Sequence, residues 1–179
     1  MTTALLIIDV QHAMCAGEEA AFEIGRVLDR INSVSARARA AGLPVVLVQH
    51  EEDEGPLQFG SDGWQLAAGL STGPGDLRVR KTTPDSFHQT ELRQLLADKG
   101  VTRLVVCGLQ SDFCVDTTVR RALSLGYHLA LVADGHSTFD NGVLSAAQII
   151  AHHNKTLSHL TSFGPRVTVA AASETGMEA

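Results

Sequence analysis

Aromatic residues are scarce in this chain: six Phe, one Tyr and one Trp, or 4% of 179 residues. Few stacking platforms for bases remain. The 14 Lys and Arg are scattered rather than striped, against 20 Asp and Glu, for a net charge of -6. That balance disfavours nucleic acids and anionic membranes, which clustered cations hold. No apolar run is long enough to span a bilayer. The start, "MTTALLIIDVQ", meets Asp9 too early and lacks the basic n-region of a signal peptide, so the expected location is cytoplasmic. Only three cysteines occur, Cys15, Cys107 and Cys114, and none sits in a C-x-x-C or finger spacing. They cannot all pair with one another, and no structural zinc site is indicated. Repeats and long like-charge runs are also missing, which excludes a solenoid or a disordered chain.

What is present is a globular pattern. Apolar residues make up 44% of the chain and charged ones 19%, which suits one full core in a single domain. Short apolar runs rich in branched residues alternate with segments of helical period. "ALLIIDV" (4–10), "PVVLVQH" (44–50), "LRVRK" (77–81), "VTRLVVCGL" (101–109), "YHLALVAD" (127–134) and "RVTVAAA" (166–172) read as strands, the most apolar of them suited to burial on both faces of a parallel sheet. Ile24, Val27, Leu28, Ile31, Val34 and Ala38 recur at helical spacing until Gly42 and Pro44 stop the run. Further helices are expected over 90–100, where Thr90 can cap and Gly100 can end, over 113–126 and over 144–160. Glu51–Asp76 is polar and glycine-rich, hence a long loop, with a helical turn expected near 64–70. Loops of this length in compact domains usually carry function.

Strands alternating with helices imply right-handed crossovers. The expected fold is three-layer α/β, Rossmann-like, with about six mostly parallel strands in the order 3-2-1-4-5-6 between helical layers. The whole chain, 1–179, reads as one domain with a mobile tail over about 173–179.

In such a sheet, ligands bind beyond the carboxyl ends of the strands, where the strand order reverses. Asp9, Lys81 and Cys114 lie at or just after the ends of strands one, three and four, so they are expected to converge on one edge. Each has a bland reading. Cys114 is by default a small buried hydrophobe, as Cys107 inside "LVVCG" is expected to be. At a helix mouth beside a cation it is instead a stabilised thiolate and a nucleophile. Asp9 caps a turn or pairs with a cation, or else acts as a general base. Lys81 alone reads as a surface charge, and its interest comes from its place at a strand end. The turn "GLQSDF" ahead of Cys114 presents backbone N–H groups without intrahelical partners, which suit an oxyanion.

Together, "LLIIDVQ", "VRKTTPDSFHQTEL" and "VVCGLQSDFCVDTTVRRALSLGYHLALVADGHST" resemble the signature blocks of the isochorismatase-like cysteine hydrolases, in order from Ala4 to about Thr138. That superfamily includes nicotinamidases, N-carbamoylsarcosine amidohydrolases, and ureidoacrylate and streptothricin hydrolases. The resemblance implies that Cys114 is the nucleophile, Asp9 the acid/base and Lys81 the cation that holds them. It also implies a non-proline cis peptide between Leu109 and Gln110, and an oxyanion hole made by the N–H groups of Gln110 and Cys114. The implied reaction is hydrolysis of a C–N amide-type bond of a small molecule through a thioester acyl-enzyme, with no cofactor.

Nicotinamidases of the superfamily carry an Asp-x-His motif and a further His after the second strand, which bind a metal. Here the segment reads "VQHEEDEGPLQFGSDGW". His50 is present but the spacing is missing, and the carboxylates that follow read as a solvated loop, so no metal is expected. The "G-S-x-G-W" pattern is similar to a nicotinamidase-related subgroup. Met14, Trp64, Phe87, Gln110 and Phe113 are candidate walls of a substrate pocket, though each is equally an ordinary core or loop residue. His12 and His88 read as partly exposed loop histidines within reach of it. His152 and His153, adjacent on one helix, point to different faces and do not form a metal pair. The alternatives are an isochorismatase-type or other hydrolase, a catalytically silent binding protein, and a thiol redox protein, for which no resolving cysteine is evident. The expected partners are a small-molecule substrate and further copies of the chain in a dimer or larger homo-oligomer, with no nucleic acid and no membrane.

Overall fold

The computed structural model describes residues 2–177. In chain order the elements are β1 (Thr2–Ile8), α1 (His12–Cys15), α2 (Ile24–Ala40), β2 (Val45–His50), β3 (Leu77–Lys81), α3 (Leu92–Asp98), β4 (Val101–Leu109), a π-helical turn (Ser111–Val115), α4 (Asp116–Ser124), β5 (His128–Ser137), α5 (Ala146–Ser158) and β6 (Val167–Ala170). The strands form one sheet in the order β3-β2-β1-β4-β5-β6, and every pairing is parallel. This is the three-layer α/β fold and strand order expected from the sequence. No helix among the described residues is long and apolar enough to cross a membrane.

The alternation of side chains along β1 divides the core in two. Leu5 and Ile7 face α2 and meet Val27, Ile31, Val34 and Ala38. Ala4, Leu6 and Ile8 face the opposite layer and meet Leu92, Leu96, Val119, Leu123 and Leu157 from α3, α4 and α5. A central strand covered on both faces has to read as an unbroken apolar run, which is what "ALLII" does.

The end of α2 shows how local sequence sets the path of the next strand. The Gly42 N–H donates to Arg39 O (3.0 Å) and the Leu43 N–H to Ala38 O (2.9 Å), the double bond of a Schellman cap, with Gly42 at φ +67°. Leu43 then packs into the same core as Ala38. Pro44 cannot extend the helix, and β2 begins at Val45.

Gly108 fixes how close β4 comes to β1 beside the site. Its φ is +119°, and a Cβ there would stand 2.1 Å from Ile8 O. Gly108→Ala is therefore expected to lower stability by about 3 kcal/mol or more, combining a strained backbone with a backbone clash. Urea denaturation checks this, and a change below about 1 kcal/mol would contradict it.

One expectation is corrected. Near 64–70 the chain makes turns and a single antiparallel bridge between Gln11 and Leu66 rather than a helical turn, because the backbone of this stretch is held from outside. Gln11 and Gln49 both donate to Trp64 O. The segment read as a tail, about 173–179, makes contacts with the body of the domain through its described part. Ala172 and Thr175 are buried, Met177 packs on the α2 side of the core, and Arg37 donates to the carbonyls of Ala172 and Thr175. Arg103 holds Gly176 O at 3.0 Å. Residues 178–179 lie outside the described residues.

Candidate active site

β1 and β4 are neighbours in space, yet the chain leaves them toward opposite edges of the sheet. The crevice beyond their carboxyl ends is the place such a fold offers a ligand. Asp9 follows β1 with φ +51°, a left-handed conformation unusual outside glycine and tolerated best by Asn and Asp. Its N–H is held by Val48 O at 2.9 Å. Lys81 is the last residue of β3 and lies in register with His50, the last residue of β2. On the β4 side the Leu109–Gln110 peptide is cis, and the chain then enters the π-helical turn. Its Val115 N–H donates to Gln110 O at 3.1 Å. The N–H of Cys114 lies within that first turn, where helical donors have no partner inside the helix.

These segments converge on the Lys81 ammonium. Its Nζ lies 2.7 Å from Asp9 Oδ2, 3.2 Å from Cys114 Sγ and 3.1 Å from His50 Nδ1. The Lys81 side chain is wholly buried and that of Asp9 nearly so. An ion pair taken this far from water holds only with good geometry and satisfied hydrogen bonds. Lys81 meets that condition, since its three partners match the three donors of an ammonium. Asp9 does not, because its Oδ1 is buried without a hydrogen-bond partner among the described residues. One oxygen of the carboxylate is committed to Lys81 and the other is not.

The thiol is not the resting thiolate that its position at a helix mouth suggests. Burial, followed by the negative charge of Asp9, pushes the Cys114 thiol up to about 12, and Lys81 offsets this only in part. His50 is held below its ordinary value by burial and then by Lys81, so it is neutral at pH 7. It accepts from Lys81 through Nδ1, which places its own proton on Nε2, 3.7 Å from Glu52 Oε1. The thiol and the imidazole thus stand uncharged beside the Lys81–Asp9 ion pair.

Asp9, His50 and Cys114 present donor atoms within 4.8 Å of one another, the kind of set that could hold a metal. They do not fit one here. The Lys81 ammonium already makes close contact with all three, and a divalent ion among them would face that positive charge at short range.

The isochorismatase domain model matches residues 3–165. The chain belongs to the isochorismatase family. It is 45% identical over 138 residues to a streptothricin hydrolase of Streptomyces noursei, a match spanning 76% of this chain and 50% of that one. The chain thus spans about half the length of the streptothricin hydrolases it matches. A ureidoacrylate amidohydrolase of Caulobacter vibrioides is 26% identical over 170 residues, 74% of this chain and 76% of that one. A crystal structure of an isochorismatase family protein superimposes with a TM-score of 0.85 at 42% identity, covering 93% of this chain and 96% of that one.

In this isochorismatase-family protein a cavity of about 200 Å³ opens over the Cys114 sulfur, lined by Asp9, His50 and Gln110, with Met14, Leu57, Pro84 and Phe113 as its apolar walls and Glu52 at one side. Of the wall residues proposed from sequence, Met14, Gln110 and Phe113 line it. Trp64 and Phe87 do not. Phe87 is core, stacked on Tyr127 at 5.8 Å. The Trp64 ring packs edge-on against Phe59 at 4.8 Å, and its carbonyl anchors the long loop. His12 and His88 are exposed and line no part of the cavity.

Sequence reasoning missed Glu52, Leu57 and Pro84, and gave His50 no part beyond a possible metal site. The signal for His50 was available: a polar residue ending a strand next to the strand that ends in Lys81. Gln11 was missed too. It is buried, accepts from the His50 N–H (2.8 Å) and donates to His50 O and Trp64 O (2.9 Å each). Those bonds tie the end of β2 and the long loop to the turn after β1.

Proposed function

We propose that this isochorismatase-family hydrolase is a metal-independent cysteine amidohydrolase that cleaves a C–N amide-type bond of a small molecule. The observation that carries the reading is the buried contact of Lys81 Nζ with both Asp9 Oδ2 and Cys114 Sγ under a cavity of small-molecule size. A relative described as an amidohydrolase and another as a streptothricin hydrolase support it.

In the proposed reaction the thiol proton passes to Asp9 as the sulfur attacks the amide carbonyl, and the N–H groups of Gln110 and Cys114 receive the developing oxyanion. Asp9 then gives the proton to the leaving amine or ammonia. A water activated by the same carboxylate attacks the thioester, restoring the thiol and releasing the acid. The raised thiol pKa has a direct consequence for this scheme: Asp9 must take the proton during the attack, because little thiolate is present beforehand.

Asp9→Asn tests that step. Without the carboxylate charge the thiol pKa falls and the ammonium takes the sulfur as its counter-ion. Alkylation of Cys114 by iodoacetamide at pH 8 is then expected to rise by roughly tenfold. Ammonia release from amides that the wild type hydrolyses is expected to fall by about 10²–10⁴. Alkylation that slows or stays level would remove Asp9 from the proton-transfer role. Stable retention of a small molecule without product, across an amide panel, would favour a binding protein over an enzyme.

A further inference from the structure

We propose that Glu52 makes the cavity selective for small amides that carry an ammonium or guanidinium group, and disfavours those that carry a carboxylate. The inference rests on the amidohydrolase reading for the word amide, but not for the charge preference. Among the residues lining the cavity, the carboxylates are Asp9 and Glu52, and none is Lys or Arg. Asp9 is matched by Lys81 beneath it. Arg80, next to Lys81 in the chain, approaches Glu51 at 3.6 Å and sits over the Phe59 ring at 4.3 Å, and Arg121 approaches Asp85 at 3.7 Å. The Cys114 thiol and His50 add no charge. The unmatched charge of the cavity is that of Glu52.

Glu52 is also held in place, unlike an ordinary acidic residue on a long loop. Its N–H donates to Leu57 O at 3.1 Å, it forms a bridge with Gln58, and Gly55, at φ +87°, closes the turn between them. Its side chain is half exposed, with Oε1 3.7 Å from His50 Nε2, which leaves carboxylate lone pairs for a donor in the cavity. Phe113, 54% exposed on the cavity wall, adds an aromatic ring of the kind that attracts cations.

The test uses the nucleophile as a reporter and needs no substrate. Second-order rates of Cys114 modification are measured for 2-bromoethylamine, iodoacetamide and iodoacetate, each divided by the rate for free glutathione to remove intrinsic reactivity. The expected normalised order is cation, then neutral, then anion, with about tenfold between the extremes at low salt, shrinking as salt is added. Glu52→Gln is expected to collapse the spread and Glu52→Lys to reverse it. Iodoacetate reacting as fast as the cation in the wild type, or a spread unchanged in both variants, would overturn the proposal. An order as expected without ammonia release from β-alaninamide, butyramide or succinamate would leave the charge selectivity standing and weaken the amidohydrolase reading.

Discussion

Cys114→Ala is expected to abolish turnover, by roughly 10⁴-fold or more on any amide the wild type hydrolyses, while the protein stays folded. The size of the loss follows from the role: a nucleophile acting as one unit with its proton acceptor cannot be replaced by the remaining members, and its removal alone costs nearly as much as removing the set. The fold should survive because Cys114 is a small, half-buried residue on a cavity wall. Its truncation extends an existing space rather than opening a void in either core, for a cost of about 1 kcal/mol. Cys15 and Cys107 serve as internal controls. Burial raises both thiols, and neither lines the cavity. Loss of activity on replacing either, with Cys114 dispensable, would misassign the nucleophile.

Lys81→Met is expected to be the most damaging single change to stability at the site, about 3–5 kcal/mol by chemical denaturation. Removing one member of a fully buried pair leaves the other as an uncompensated charge. Here the stranded group is Asp9, which then has neither of its oxygens partnered. The double variant Asp9→Asn with Lys81→Met removes both charges and is expected to recover at least half of that loss, so the two substitutions are strongly non-additive. Equal, additive losses would show that the ammonium and carboxylate are not coupled. Activity separates the two questions, because the recovered double variant should remain inactive: it has no cation to hold the sulfur and no base to take its proton.

The parts of this molecule that could be read from sequence are those fixed by pattern. Continuous apolar runs mark strands buried on both faces, and alternation with helical segments forces a parallel sheet whose switch point lies between β1 and β4. Asp9, Lys81 and Cys114 could be placed on one rim because each ends a run or follows one. What could not be read depends on the path of the long loop and on contacts between distant residues. Trp64 and Phe87 are aromatic residues near the site, but only the folded loop decides that one ring packs on Phe59 and the other on Tyr127. Glu52 looks like one acid among four until its bridge to Gln58 places it in the cavity wall. The resting state of the thiol is not legible for the same reason. The sequence shows a helix mouth and a cation, whereas the burial that raises the pKa comes from residues far apart in the chain. Arg37 and Arg103, more than 70 residues away, bond the carbonyls of Thr175 and Gly176, contacts that no local signal near 173 could reveal.

The most direct test of the account is the mass of the enzyme quenched in acid during turnover of an amide found by ammonia release. An added mass equal to the acyl part of the substrate is expected on the peptide that contains Cys114, and none in Cys114→Ala. Turnover without such an adduct in the wild type and undiminished in Cys114→Ala, or an adduct on Cys15 or Cys107 instead, would contradict it.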